Sequence, residues 1–338
     1  MRWPLWFVVV VAASAGRAAD DDLTPMRLTP LPIKPPIPRV VPAEPPAAAG
    51  ACHDGGLPML VERPTFGPGE ALGFEMRVLG IRAGGLSLRI GEQTRVDDVA
   101  VFPVVARART DRFLQALGDV DASMVSFIDP RSMRPVRMAN HAVTRGPFEG
   151  GPSTVREDAA FAAGLLTPAG PSGGRVAAKF DLFANGKAVN KSGQSTSRAD
   201  VVDILSIVYW LRSRQLEPGK RFCFEMFHRR RLWRLEGKVG VVKDTVSPFA
   251  TRKARRLDLS VLRAEGKDPR PLTVWVSDDA DRLPLLVSTS DNIDVRLTTF
   301  ARGRAVVVAP APVVAAPVVA PVVGPVPRVS APVDAAAR

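Results

Sequence analysis

Tyrosine is almost missing from this 338-residue chain: Tyr209 is the only one, alongside three histidines and two cysteines. Two cysteines cannot staple a disulfide-dense miniature fold. The Cys52-His53-Asp54 run has no second Cys/His pair at zinc spacing to complete it, so no metal is expected there. His53, His141 and His228 stand far apart, and His-Glu-x-x-His, Gly-x-Ser-x-Gly and phosphate-loop patterns are all absent. Asp278-Asp279-Ala280-Asp281 offers oxygen ligands, but the full calcium-loop spacing is lacking. No cofactor and no catalytic set follow from the residues, and an enzyme ranks last among the readings below.

Proline is plentiful but uneven, with ten in residues 1–50 and seven in 304–338, out of 32 in all. What lies between, 52–303, has ordinary composition and reads as one β-rich domain. The chain opens with Arg2, an apolar stretch Trp3–Ala15 and small residues before Asp20-Asp21-Asp22. That is the pattern of a secretory signal peptide over 1–18, cleaved after Ala15 or Ala18. The apolar stretch is short for a spanning helix, so the mature chain is expected to be periplasmic, with no transmembrane span. No cysteine near the cleavage region offers a lipid anchor. Export to an oxidising compartment permits a Cys52–Cys223 bridge, with two unbridged thiols as the alternative. Residues 19–51 read as a Pro/Ala-rich linker. Residues 304–338 read as a disordered Ala/Val/Pro-rich tail, whose repeated Ala-Pro-Val-Val units break any helix.

Alternation of apolar and polar residues predicts strands over Ala71–Leu79 and Leu86–Ile90, joined at a glycine-bearing turn. Further strands are expected at Val99–Thr110, Val120–Ile128 and Pro135–Val143. The last third adds Arg221–Phe227, Leu232–Val242, Arg255–Leu262, Leu272–Val276, Leu283–Val287 and Val295–Phe300. The fold class is mainly β: a large antiparallel sheet curled into an open or closed barrel, with one main helix. That helix carries Ile204, Ile207, Val208 and Leu211 at helical spacing and ends at Pro218-Gly219. Ser197-Arg198-Ala199-Asp200 reads as its capping box, fed by a loop at Gly193–Ser197. Residues 144–196, rich in Gly, Ser, Pro and Ala, read as a long variable excursion with one strand at Val176–Phe183.

Three segments resemble an uncharacterised bacterial envelope family, domain of unknown function 3108. They are Phe66-Gly67-Pro68-Gly69-Glu70 with Gly80–Gly84, then Asp203–Arg212, then Trp275–Asp278 with Arg282-Leu283-Pro284. The resemblance implies an exported β-rich domain and carries no activity; the tails and most of 144–196 lie outside it. Physically, Gly67-Pro68-Gly69 is a turn that aims the first strand, and Glu70 is placed to pair with a buried arginine. Asp203, Ser206 and Tyr209, beside Trp210, can share a helix face. With Trp275 they are candidate ligand contacts in a barrel mouth; more often such a helix plugs or caps the sheet and satisfies its polar groups internally.

Basic residues exceed acidic ones, 46 Lys+Arg against 34 Asp+Glu. Two clusters stand out: Arg229, Arg230, Arg231 and Arg234 near a hairpin tip, and Arg252, Lys253, Arg255 and Arg256. Together they form a candidate patch for an anionic envelope surface, lipid or glycolipid, or simply a solubilising face. Nucleic acid is not an expected partner, given the signal peptide and the lack of an aromatic-interleaved basic groove. Two functions remain: a carrier or binder of an apolar or anionic envelope molecule, and an assembly factor docking on envelope proteins through strand edges and Pro-rich tails.

Overall fold

The structure, a computed structural model, describes residues 64–304 apart from 116–117, 146–151, 163–165, 168–169, 172–174, 185–186, 197–200, 215, 230, 247–250 and 264–268. The segments expected to be a signal peptide and a linker, Cys52-His53-Asp54 and the tail beyond Arg304 therefore lie outside the described residues. Inside them the chain is overwhelmingly extended. The first strands are β1 (Ala71–Val78), β2 (Ile81–Ile90), β3 (Thr94–Val96), β4 (Val99–Thr110), β5 (Asp119–Ile128) and β6 (Pro135–Arg145). Then come β7 (Ser153–Ala162), the short β8 (Leu166–Thr167) and β9 (Gly170–Pro171), β10 (Arg175–Ala184), β11 (Lys187–Thr196) and β12 (Val201–Val202). One helix, α1 (Ile204–Ser213), precedes β13 (Arg221–His228), β14 (Arg231–Val246), β15 (Thr251–Arg263), β16 (Arg270–Ser277), β17 (Pro284–Thr289) and β18 (Ile293–Ala301).

Sixteen strands form one sheet in the order β11-β10-β7-β6-β5-β4-β2-β1-β18-β17-β16-β15-β14-β13-β12, with β3 paired to β4. Every neighbour is antiparallel except the β12–β13 pair. The first and last long strands meet at a seam, Ala71 opposite Ala301 and Val78 opposite Ile293. The ladder thus opens at mid-chain, between β11 and β12. Across that opening Phe161 of β7 meets Phe227 of β13 edge to face at 6.3 Å. The Arg229 N–H also donates to Glu157 on β7 at 3.0 Å. The sheet is curled far enough for its two halves to touch through side chains, while its ladder stays open. The mainly β, antiparallel, barrel-like expectation holds.

Sequence alternation builds these strands. On β1 Leu72, Phe74 and Met76 are buried and their neighbours are not; on β5 Ala122, Met124, Ser126 and Ile128 repeat the pattern. Before β1, Glu70 N–H donates to Gly67 C=O with Gly69 at φ +85°, a turn with Pro68 at its first corner. That is the turn expected to aim the first strand. The chain leaving β18 packs so closely on it that a Cβ on Gly303 would lie 2.2 Å from the Gly67 carbonyl oxygen.

Two expectations change. The helix begins at Ile204, later than the capping box placed it, and Ser197–Asp200 lie outside the described residues. The β-branched pair Val201-Val202 is instead a short strand against Glu225 and Met226. Asp203 becomes the cap: its backbone is extended and its carboxylate accepts the Ser206 N–H at 2.8 Å. Residues 144–196 hold three long strands, β7, β10 and β11, rather than one, and Gly193–Thr196 belong to β11 instead of a loop. On β7 the buried face is Val155, Glu157 and Ala159, too small and polar to register as an apolar stripe.

Candidate functional site

Helix α1 lies against the inside of the curled sheet, and its faces go to different places. Leu205 and Tyr209 join the apolar cluster that runs over β1 to β10 and on into β17 and β18; Ile207 and Leu211 join a second cluster built mainly from β13 to β16. A helix apolar nearly all round is a buried one. Its C-terminal end is clasped by Arg212, which donates to both carboxylate oxygens of Glu70, at 2.5 and 2.9 Å. Side-chain exposure is 1% for Arg212 and 0% for Glu70, so this is the buried partner expected for Glu70. The Arg212 guanidinium also donates to the Asp281 carbonyl at 3.2 Å and lies over the rings of Phe66 and Tyr209. Arg282 in turn donates to the Arg212 carbonyl, capping the helix. Burial alone would lower the Arg212 pKa, but the Glu70 hydrogen bonds and charge carry it above its ordinary value. Residues from all three resembling segments thus converge on one buried knot.

Asp203, Ser206 and Tyr209 are fully buried on the side of α1 facing this knot and β5. Ser126 of β5 donates to the Asp203 carboxylate at 2.5 Å. Burial pushes the Asp203 carboxyl up, against the pull of Ser126 and the Ser206 N–H. Burial, then the Glu70 charge, pushes the Tyr209 phenol up. Trp210 packs edge to face on Phe224 at 4.5 Å, with Arg214 over its ring. Trp275 is half-buried on β16. The five candidate ligand contacts therefore do not share one surface.

The other side of α1 does not close fully on the strands it faces. Ile204, Ile207, Val208 and Leu211 line a cleft of about 140 Å³ against β13 to β18, whose walls include Met226, Leu259, Val274 and Val287. Its lining is almost wholly apolar. One end is closed by buried Arg212, Val276 and Pro284; the other reaches the exposed Pro271 and Ser290, beside Arg270 and Asp291. Along β17 the span from Pro284 to Thr289 is about 17 Å. None of the five candidates lines it. The signal that could have found it is the i, i+3, i+4, i+7 apolar stripe from Ile204, read as a wall instead of as core.

The two basic clusters do not come together. Arg229, at the β13–β14 turn with φ +50°, and Arg231 lie at one end of β14; Arg252, Lys253, Arg255 and Arg256 on β15 pair toward its other end. Arg230 lies outside the described residues, and Arg234 pairs with Glu236 at 2.9 Å. Arg252 and Arg255 pair with Asp279 and Asp278 at 3.0 and 2.7 Å, and Arg256 pairs with Asp258. The aspartate-rich turn is thereby engaged by arginines, and its Asp279 also accepts from the Asp281 and Arg282 N–H groups. Cys223 is half-buried on β13; its proposed partner Cys52 lies outside the described residues. Among those residues no helix is long and apolar enough to cross a membrane. Nor is any group of three or more His, Cys, Asp and Glu placed to hold a metal.

No curated protein matches the chain. Among solved structures, a β-barrel-like protein of domain of unknown function DUF1849 from Brucella abortus is 12% identical. The alignment covers 74% of this chain and 100% of that one, at a TM-score of 0.43. A Bacteroides fragilis protein with a YmcC-like fold is 6% identical over 71% of this chain and 100% of its own, at a TM-score of 0.26. The family model described as protein of unknown function DUF3108 matches residues 73–299, beginning just past Glu70 and running through the strands of 144–196. The chain belongs to the DUF3108 family.

Proposed function

We propose that this is an exported, periplasmic, non-enzymatic protein that holds the apolar part of an envelope lipid or glycolipid. The observation that supports it is the cleft beside α1: almost wholly apolar along its walls, closed at the Arg212 end and open at Pro271 and Ser290. Apolar cavities of about 150 Å³ stay dry and take up benzene-sized groups. A cleft of about 140 Å³ therefore suits a ring or a short length of acyl chain, with the remainder leaving through the mouth. A polar head would stay outside, beside Arg270 and Asp291. Binding would draw on the hydrophobic effect, about 25 cal/mol per Å² of apolar surface removed from water.

Native mass spectrometry of the mature chain, with and without an added fluorescent fatty acid, tests this. The expected result is a one-to-one complex that Val287→Phe, which fills the cleft wall, abolishes while leaving the thermal unfolding midpoint nearly unchanged. A chain that takes up no apolar probe sinks the carrier reading. The alternative, docking of another envelope protein, draws on one observation: β11 ends the ladder, and its outer edge pairs with no strand among the described residues. An extended partner could add a strand there.

A further inference from the structure

Antiparallel neighbours put their turns alternately on two rims of the sheet. The turns after β1, β4, β13 and β17 share one rim with the cleft mouth. Six large apolar side chains are exposed among the described residues, and Leu79, Ile81, Phe113 and Phe183 belong to this rim. Three are grouped: Leu79 (71% exposed) and Ile81 (60%) form the β1–β2 tip, and Phe113 (63%) follows β4. The Arg82–Asp111 ion pair at 2.9 Å and the Asp111 N–H bond to Ala83 C=O tie the Phe113 turn to that tip. The Leu79 N–H donates to Asn292 C=O at 2.9 Å, which joins the tip to the 290–292 turn at the cleft mouth.

The tip residue is itself an anomaly. Leu79 and Gly80 are the two corners of a two-residue hairpin, both left-handed, at φ +53° and +80°. Such corners favour Asn or Asp followed by Gly, because a leucine Cβ crowds the following carbonyl there. Here the chain accepts that strain to hold a large apolar side chain out in water. Outliers of this kind point toward a use. The charge along this rim, with Arg112 next to Phe113 and the other cations spread over distant strands, fits an anionic partner. Arg112, Lys187 and Arg231 are exposed on this rim with no carboxylate partner among the described residues, where Asp291 is an acid with no cation partner.

We propose that the Leu79–Ile81 tip, with Phe113 beside it, docks on an anionic lipid bilayer, inserting its apolar side chains so that the cleft mouth meets the membrane surface. This rests on the carrier reading for its purpose, since a lipid-binding cleft gains from opening where lipid is. Aliphatic and aromatic side chains at the headgroup boundary with cations around them are how peripheral surfaces hold a membrane.

Co-sedimentation of the full mature chain with phosphatidylglycerol-containing vesicles tests it. Wild type should partition onto them. The variant carrying Leu79→Asn, Ile81→Thr and Phe113→Ser should bind at least about tenfold more weakly. Asn suits the left-handed corner and Ile81 and Phe113 are exposed, so that variant should unfold no lower than wild type and still take up the soluble fatty-acid probe. Equal vesicle binding by wild type and variant, or no binding by wild type, overturns the docking proposal. Vesicle binding without probe uptake would instead leave the tip standing and remove the carrier reading.

Discussion

Arg212 and Glu70 are a buried pair of full charges, and the two ways of breaking them have different costs. Removing one partner leaves the other charged and out of water, a loss of about 3–5 kcal/mol. Replacing both by apolar groups of similar volume removes the desolvation cost with the attraction and can be nearly neutral. Urea unfolding should therefore show Glu70→Gln and Arg212→Met each strongly destabilised, and Glu70→Leu with Arg212→Met much less so than either. Equal losses in all three would mean that the contacts of Arg212 with Asp281, Phe66 and Tyr209 matter more than the pair. His228 adds a pH dependence. Burial, helped by the Arg229 charge, holds its pKa down at about 3, so the folded protein keeps it neutral. The unfolded chain binds a proton below about 6.5, so this contribution is present above that pH and lost as pH falls toward about 3. Asp203, pushed upward, acts in the opposite sense: just above the usual carboxylate range its stabilising share falls as pH rises. Across pH 6 to 4, roughly, His228→Phe should flatten the fall of stability by up to about 1.4 kcal/mol per pH unit. An unchanged slope would show that the fold does not hold the His228 pKa down.

At the scale of elements, turns and close approaches set where strands start and stop. Leu79→Asn relieves a left-handed corner without losing buried surface, so it should raise stability by up to about 1 kcal/mol. Gly303→Ala should do the reverse, costing about 1–3 kcal/mol, because its Cβ would meet the backbone of Gly67 and not a side chain that can swing away. Denaturant midpoints decide both. Strands with one apolar face were legible: β4 has the expected bounds Val99–Thr110, and β6, β13 and β16 differ by one or two residues at an end. β11 was not, because it is exposed along most of its length and carries no alternation. α1 was legible as a helix, but its start was not, since two valines before it pair with β13, a contact no local pattern announces. The buried fate of Asp203, Ser206 and Tyr209 was equally hidden: it depends on β5 arriving from some 77 residues away. The apolar stripe facing the cleft was in plain view, yet core and ligand wall look alike until the opposing strands are placed.

At the largest scale, the sheet formed by the described residues is a meander whose end strands meet at the β1–β18 seam and whose ladder is open at mid-chain. Holding such a sheet curled rests on contacts made across the opening, among them Phe161 with Phe227, and on α1 inside. A bridge from Cys52 to Cys223 would add a covalent tie from the segment before β1 to β13, the strand on the far side of α1. Closing a loop of about 170 residues would stabilise the fold by up to roughly 5 kcal/mol on the chain-entropy model. Thiol alkylation followed by mass measurement decides it: the mature chain should take up no label before reduction and two labels after it. Reduction should then lower the urea midpoint, and Cys223→Ser should lower it to the same place. Two labels without reduction would rule the bridge out and leave the curl to side-chain contacts and the helix.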